Sequence, residues 1–310
     1  MDFLANYFGS LNPMSFLSAL PGNIAQGIIW GLMGLGVFLT FKLLNFADLS
    51  VDGSFATGGA VTAVMLINGC PVWATIIVAI LAGLAAGLVT GLLHTLLGIP
   101  DILAGILTQI ALYSINLNIM GKSNLPISYR NYTLVVSASN INMAILVGLE
   151  FVHCNCRNVL VFRHGTGSTI RSTGSNPAMS KAQGININFT KVIALALSNG
   201  LVALSGSLFA QYQGFADINM GRGAIVIGLA AVIIGEVLGE AIFRKHMNFI
   251  IRMLFVIVGG ILYYIAMGIV LWLKMPTDDT KLFTAIIVAI FLAVPYLQKK
   301  RKTSFKKLQK

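Results

Sequence analysis

Long apolar runs alternate with short polar ones along almost the whole chain, and most of the runs have the length of a membrane crossing. A hydrocarbon core of about 30 Å needs about 20 apolar residues per helix, with about 17–25 tolerated. Nine segments come close: 24–41, 54–68, 72–93, 102–120, 142–162, 190–212, 224–240, 249–272 and 282–297. The second is short and flanked by polar residues, so the count ranges from eight to ten. Small residues recur at helical spacing in Gly27/Gly31, in Gly83/Gly87/Gly91, and in Gly200 with Ser205-Gly206-Ser207. Such spacing lets helix backbones meet closely in lipid. The predicted fold is all-α, a polytopic membrane helix bundle of about nine transmembrane segments.

Composition agrees. Of 310 residues 56% are apolar and only 10% are Asp, Glu, Lys or Arg, against about 25% charged in a soluble domain. Mean hydropathy is +0.84. The longest hydrophilic stretch, 163–191, is too short for a soluble domain of about 50 residues or more, so 1–310 reads as one transmembrane domain. Residues 1–23 lack Lys and Arg and a clean apolar run, and are not expected to form a secretory signal peptide.

The net charge of +11 is informative by position. With nine spans and an outside N-terminus, 16 of the 21 basic residues fall in inner segments, and without the C-terminal tail the ratio is still nine to five. The positive-inside rule therefore places the 163–190 loop and the tail 298–310 in the cytoplasm. Seven basic residues in that tail are expected to bind anionic lipid at about 1 kcal/mol each, and no nucleic-acid role is expected. No metal site is predicted: His153, Cys154 and Cys156 lack ligand spacing and read as core or boundary residues. No GxxxxGK[ST] loop occurs, so a P-loop ATPase in this chain is excluded.

Two polar stretches carry information. In the cytoplasmic loop, Asn176 is a good N-cap and Pro177 suits the first helical position. Ala178 to Gln183 favours helix, and Gly184 is placed to end it left-handed. The predicted helix of about two turns displays Ala178, Met179 and Ala182, either to dock in a partner's groove or as a plain connector. In Lys42 to Ser54, Asp48 and Asp52 sit between apolar runs and Gly53-Ser54 interrupts the second. One reading is a broken helix lining a path, since irregular backbone at membrane depth must face protein or water. The other is that Asp48 or Asp52 caps the next helix. Polar residues inside spans, among them Gln109, Asn116, Asn118, Asn199, Gln211 and Gln213, read first as interhelical hydrogen-bonding groups. Glu236 and Glu240 share a helix face and are expected to pair with Arg244 or Lys245, or with a partner.

The loop Arg171-Ser-Thr-Gly-Ser-Asn-Pro-Ala-Met-Ser-Lys-Ala-Gln-Gly-Ile-Asn186 resembles the coupling loop of permease subunits of bacterial ABC importers, in the branch of the branched-chain amino acid, ribose and nucleoside permeases. Three further stretches narrow the resemblance. They are Phe41-Lys-Leu-Leu-Asn-Phe-Ala-Asp-Leu-Ser-Val-Asp-Gly-Ser-Phe55, Leu112-Tyr-Ser-Ile-Asn-Leu-Asn-Ile-Met-Gly121, and the run from Leu195 to Asp217. Together they are similar to the permeases of tryptophan/tyrosine ABC importers, from about Gln26 to Pro295. Residues 150–164 have no counterpart, and Tyr263-Tyr264 stands where a Tyr-Arg pair is expected.

The resemblance implies a subunit of the bacterial plasma membrane with no cofactor of its own, ATP and magnesium being bound by partner ATPase subunits. An extracytoplasmic substrate-binding lipoprotein and a homodimeric arrangement are also implied. Asn176, Pro177, Ala178, Met179, Lys181, Ala182 and Gly184 would form the ATPase-coupling element. Ser54, Thr57, Asn116 and Asn199 are the residues expected along the translocation path, with Asp48 and Asp52 in gating or capping. An amino acid, aromatic by preference, is the implied cargo. A nucleoside or other small solute is the alternative, as is an ion-coupled secondary transporter, for which no inverted repeat is found.

Overall fold

The computed structural model describes residues 13–127, 165–243, 248–273 and 282–291, with residue 293 and scattered positions between 132 and 150. Helix α1 (Pro13–Val37) runs on into a π-helical turn, Phe38–Leu43. There follow α2 (Val51–Ile67), α3 (Val72–Thr95), α4 (Asp101–Met120), strand β1 (Asn124–Pro126), α5 (Thr166–Ser175), α6 (Pro177–Ala182), α7 (Ile187–Gln213), strand β2 (Phe215–Asp217), α8 (Ala224–Phe243) and α9 (Phe249–Trp272). The last described helix is α10 (Leu282–Phe291). Among the described residues six helices are long and apolar enough to cross a membrane, and α2 and α10 are shorter apolar helices. Eight of the nine predicted runs are thus helices. The ninth, 142–162, lies largely outside the described residues, as do His153, Cys154, Cys156 and the tail 298–310.

Burial separates inner from outer helices. The most apolar stretches of α1 with its π turn and of α7 are 83% and 78% buried, against 28% for α4. Helix α7 packs on α3, α2 and α1, while α1 also meets α9 and α8. Outward-facing positions include Trp73, Ile77 and Leu81 on α3, the apolar surface expected of a helix that lipid can cover, and Ile110 and Tyr113 on α4.

Lipid tails are as apolar as leucine, so these helices gain from close van der Waals contact more than from hydrophobic exclusion. The predicted glycine spacings provide it. A Cβ on Gly83 or Gly87 would run into the α7 carbonyls of Asn199 or Leu195, and one on Gly31 would lie 3.0 Å from the Cα of Ile257 in α9. Serine and threonine hydroxyls then join the helices: Ser205 Oγ donates to the Ile29 carbonyl at 2.6 Å, Ser198 Oγ to the Gly36 carbonyl at 2.7 Å, and Thr62 Oγ1 to Ser207 Oγ at 2.7 Å. Trp30 stacks on Phe55 with ring centroids 4.8 Å apart and meets Phe209 edge-on at 5.2 Å. β1 and β2 pair antiparallel, Asn124 opposite Asp217, and tie the ends of α4 and α7 together.

Candidate functional site

The path between α1 and α2 is broken, as the sequence suggests, but one turn earlier than Gly53-Ser54. The π-helical turn ends at Leu43, Asn45 adopts a left-handed conformation (φ +56°), and α2 begins at Val51 with Gly53 and Ser54 inside it. Glycine 53 lies against Gln109 and Leu112, midway along the 20 residues of α4. Asp52 therefore sits about 15 Å from either end of that helix.

The partners of Asp52 are not in its own helix. Ser50 is the N-cap residue of α2 and makes no side-chain cap. The Asp52 carboxylate accepts instead from the first free N–H groups of α8: Gly223 N–H at 2.9 Å on Oδ2 and Ile225 N–H at 2.9 Å on Oδ1. The start of α8 is thus capped by a residue over 170 positions earlier, which corrects the expectation that Asp52 caps the helix it begins. A carboxylate at a helix N-terminus is stabilised by the free N–H groups and the dipole together.

Asp48, unlike Asp52, caps no helix. It is buried and holds the turn before α2, accepting from Ser50 N–H at 2.9 Å, Ser50 Oγ at 2.5 Å and Asn199 Nδ2 at 2.8 Å. Asn199 Nδ2 also donates to the Leu195 carbonyl at 3.0 Å. This polar knot pins the broken segment to the middle of α7. Loss of one hydrogen bond to a buried charge costs about 1.5–3 kcal/mol. Asn199→Leu should therefore destabilise the solubilised protein by about 1.5–3 kcal/mol and lower its melting midpoint; an unchanged midpoint would mean that the amide holds nothing.

The expected path residues are dispersed by the fold. Asn199 is fully buried in that knot, Ser54 is fully buried, and Thr57 is buried with its hydroxyl donating to the Gly53 carbonyl at 2.9 Å. None of the three lines an open surface: α7 and the inner face of α2 are packed inside the protomer. Asn116 alone of the four lines a cavity. That cavity, of about 350 Å³, is bounded by Asp52, Gly53 and Ala56 of α2, by Gln109, Ile110, Tyr113 and Asn116 of α4, and by Ile218, Asn219 and Arg222 of the turn leading into α8. Sequence reading missed Tyr113, Asn219 and Arg222. A signal was present, since Gly221-Arg222-Gly223 leads into α8 with no Ser, Thr, Asp or Asn to cap it.

The predicted short helix is α6. Asn176 Oδ1 accepts from Met179 N–H at 3.0 Å with Pro177 at the first position. At the other end Gly184 is left-handed (φ +80°), its N–H donating to the Lys181 carbonyl at 3.0 Å while Ile185 N–H donates to the Ser180 carbonyl at 3.1 Å. Those two bonds are the Schellman pattern. Ser180 faces inward, and Ala178, Met179, Lys181 and Ala182 are exposed.

Helix α5, which precedes it, has a poor helix-forming sequence and is not predicted. Docking explains it. Ile170 is buried with Leu44, Phe46, Ala194 and Leu195, Gly174 presses on the Leu43 carbonyl, and the Arg171 guanidinium lies 5.1 Å over the Phe249 ring. The short helix is thereby tied to the broken segment that carries Asp48. At the same end Glu236 pairs with Lys42 (2.8 Å) and Arg252 (3.6 Å); the expected Arg244 and Lys245 lie outside the described residues.

A family model described as "Branched-chain amino acid transport system / permease component" matches residues 22–295. The tyrosine transport system permease protein of Clostridioides difficile (strain R20291) is 42% identical over 294 residues, 94% of this chain and 96% of that protein. The D-allose transport system permease protein of Escherichia coli (strain K12) is 26% identical over 258 residues, 82% of this chain and 77% of that one. Among solved structures, PsaBC from Streptococcus pneumoniae in complex with Fab superposes with a TM-score of 0.53 at 15% identity, covering 94% of each chain. That likeness bears on the fold alone.

Proposed function

The chain belongs to the family of branched-chain amino acid transport system permease components, and from that premise we propose that it forms the membrane pathway of an ATP-driven importer for an aromatic amino acid, tyrosine. The observation that carries the cargo is the 42% identity, over nearly the full length of both chains, to a permease named for tyrosine transport. ATP is hydrolysed on separate subunits, which α6 engages through Ala178, Met179 and Ala182 in the cytoplasm. Motion of α6 passes through α5 to the Leu43–Ser50 segment, because Gly174 and Ile170 leave no slack at that contact. A homodimer completes the pathway, an external binding protein supplies solute, and the basic tail lies on anionic lipid at the cytoplasmic face of the bacterial plasma membrane.

The experiment is uptake of labelled tyrosine by cells with and without the gene for this chain. Deletion should remove the saturable, ATP-dependent component, and unlabelled tyrosine should suppress it more than D-allose or a nucleoside. Uptake equal in both strains, or suppression by the sugar or nucleoside alone, would assign a different cargo.

A further inference from the structure

We propose that the cavity between α2, α4 and the turn before α8 is a subsite for the amino acid in transit, in which Arg222 takes the carboxylate and the amide of Asn116 takes the side-chain hydroxyl of tyrosine. The inference rests on the cargo reading above and deepens it.

Asn116 is the starting point. Its side chain is 1% exposed, and both Nδ2 and Oδ1 are buried without a hydrogen-bond partner. No other buried side chain among the described residues leaves two polar atoms unpaired. Many buried hydroxyls and amides in this bundle are paired, as Thr62, Thr90, Ser198 and Asn199 show, and where others such as Ser54, Thr173 and Gln211 leave an atom unpaired it is one atom, not two. An unpaired amide inside a membrane-spanning helix is costly and marks a place where a partner arrives. A hydroxyl both donates and accepts, so one phenolic group can satisfy the carbonyl and the amino half of a carboxamide together.

The rest of the cavity suits the rest of the molecule. Its floor is Gly53, Ala56, Asn116 and Ile218, all buried, while Ile110, Tyr113, Asn219 and Arg222 at the rim are exposed. Arg222 makes no ion pair with any described residue, and its planar fork matches a carboxylate in two parallel hydrogen bonds. Tyr113 offers a ring face to an aromatic side chain. Asp52, on the same wall, already accepts two N–H groups from the start of α8, which offsets its charge and leaves the arginine to orient the solute. A volume of about 350 Å³ falls at the small end of ligand pockets, about 300–1,000 Å³. One cation and one amide make a sparse site, which a solute on its way through can leave again.

The test is binding of labelled tyrosine to the full-length chain in lipid nanodiscs, with phenylalanine, tyramine and D-allose as competitors. Phenylalanine lacks the hydroxyl and tyramine the carboxylate, so each should compete about tenfold or more weakly than tyrosine. Asn116→Leu should bring tyrosine down to the phenylalanine level and leave phenylalanine unchanged. Arg222→Gln, at an exposed turn, should bring tyrosine down to the tyramine level. A variant that merely misfolds would lose every ligand, and the comparison of ligands on the unaltered chain needs no variant. Absence of saturable tyrosine binding, or equal competition by all three aromatics, overturns the subsite. If tyrosine fails to bind but cellular tyrosine uptake persists, the subsite falls while the cargo stands. If D-allose binds and tyrosine does not displace it, both fall.

Discussion

Asp52→Ala should destabilise the protein by about 2–4 kcal/mol and abolish transport. The substitution leaves the partly buried N–H groups of Gly223 and Ile225 without their carboxylate acceptor at the start of α8. Each buried unsatisfied donor costs about 1–3 kcal/mol. Removing the carboxylate also relieves its own desolvation, so the net loss is smaller than the sum for two orphaned donors with the charge-dipole term added. The sign is still set by the two N–H groups that lose their charged acceptor. Against a total stability of about 5–15 kcal/mol, the loss should appear as a lower melting midpoint and a smaller monodisperse fraction in detergent. Asp52→Asn keeps one acceptor oxygen and should fall between the two. A melting midpoint and uptake rate unchanged in Asp52→Ala would show that α8 is capped by something else.

Ala178→Trp and Ala182→Trp should each uncouple the ATPase, lowering solute-stimulated ATP hydrolysis at least tenfold, with the fold of this subunit intact. Both alanines are exposed on α6, and exposed substitutions away from special features change stability by about 0.5 kcal/mol or less. An indole on a two-turn helix, by contrast, cannot enter a groove shaped for a methyl group. The helix itself should persist, because its Asn176 cap and Gly184 terminus are untouched. The measurement is ATP hydrolysis by the assembled importer with binding protein and tyrosine present, together with the melting midpoint of the isolated subunit. Solute-dependent hydrolysis that survives both changes would remove α6 from the coupling role.

Single residues separate what could be read from the chain and what could not. Asn176 and Gly184 were legible as the two ends of α6 because caps act within four residues, through side-chain and backbone groups that are neighbours in sequence. The glycines at 83, 87 and 91 were legible as a contact stripe because their spacing repeats the helix period. Helix α5 was not, since Thr-Gly-Ser-Thr-Ile-Arg-Ser-Thr-Gly-Ser favours turns, and Ile170, Arg171 and Gly174 hold it helical by meeting the end of the π turn and the segment after it, α7 and α9. Asn116 and Asn199 look alike as amides within apolar runs, yet one faces a cavity unpaired and the other is spent on Asp48.

By itself, then, the sequence determined the helical bundle, its membrane setting and the short helix α6, because apolar run length, charge position and capping are local quantities. The partner of Asp52, the burial of Ser54, Thr57 and Asn199, and the cavity under Arg222 were decided only by the tertiary structure. Each depends on which face of one helix meets another more than 50 residues away, and in a bundle apolar nearly all round no hydrophobic stripe marks that face in advance.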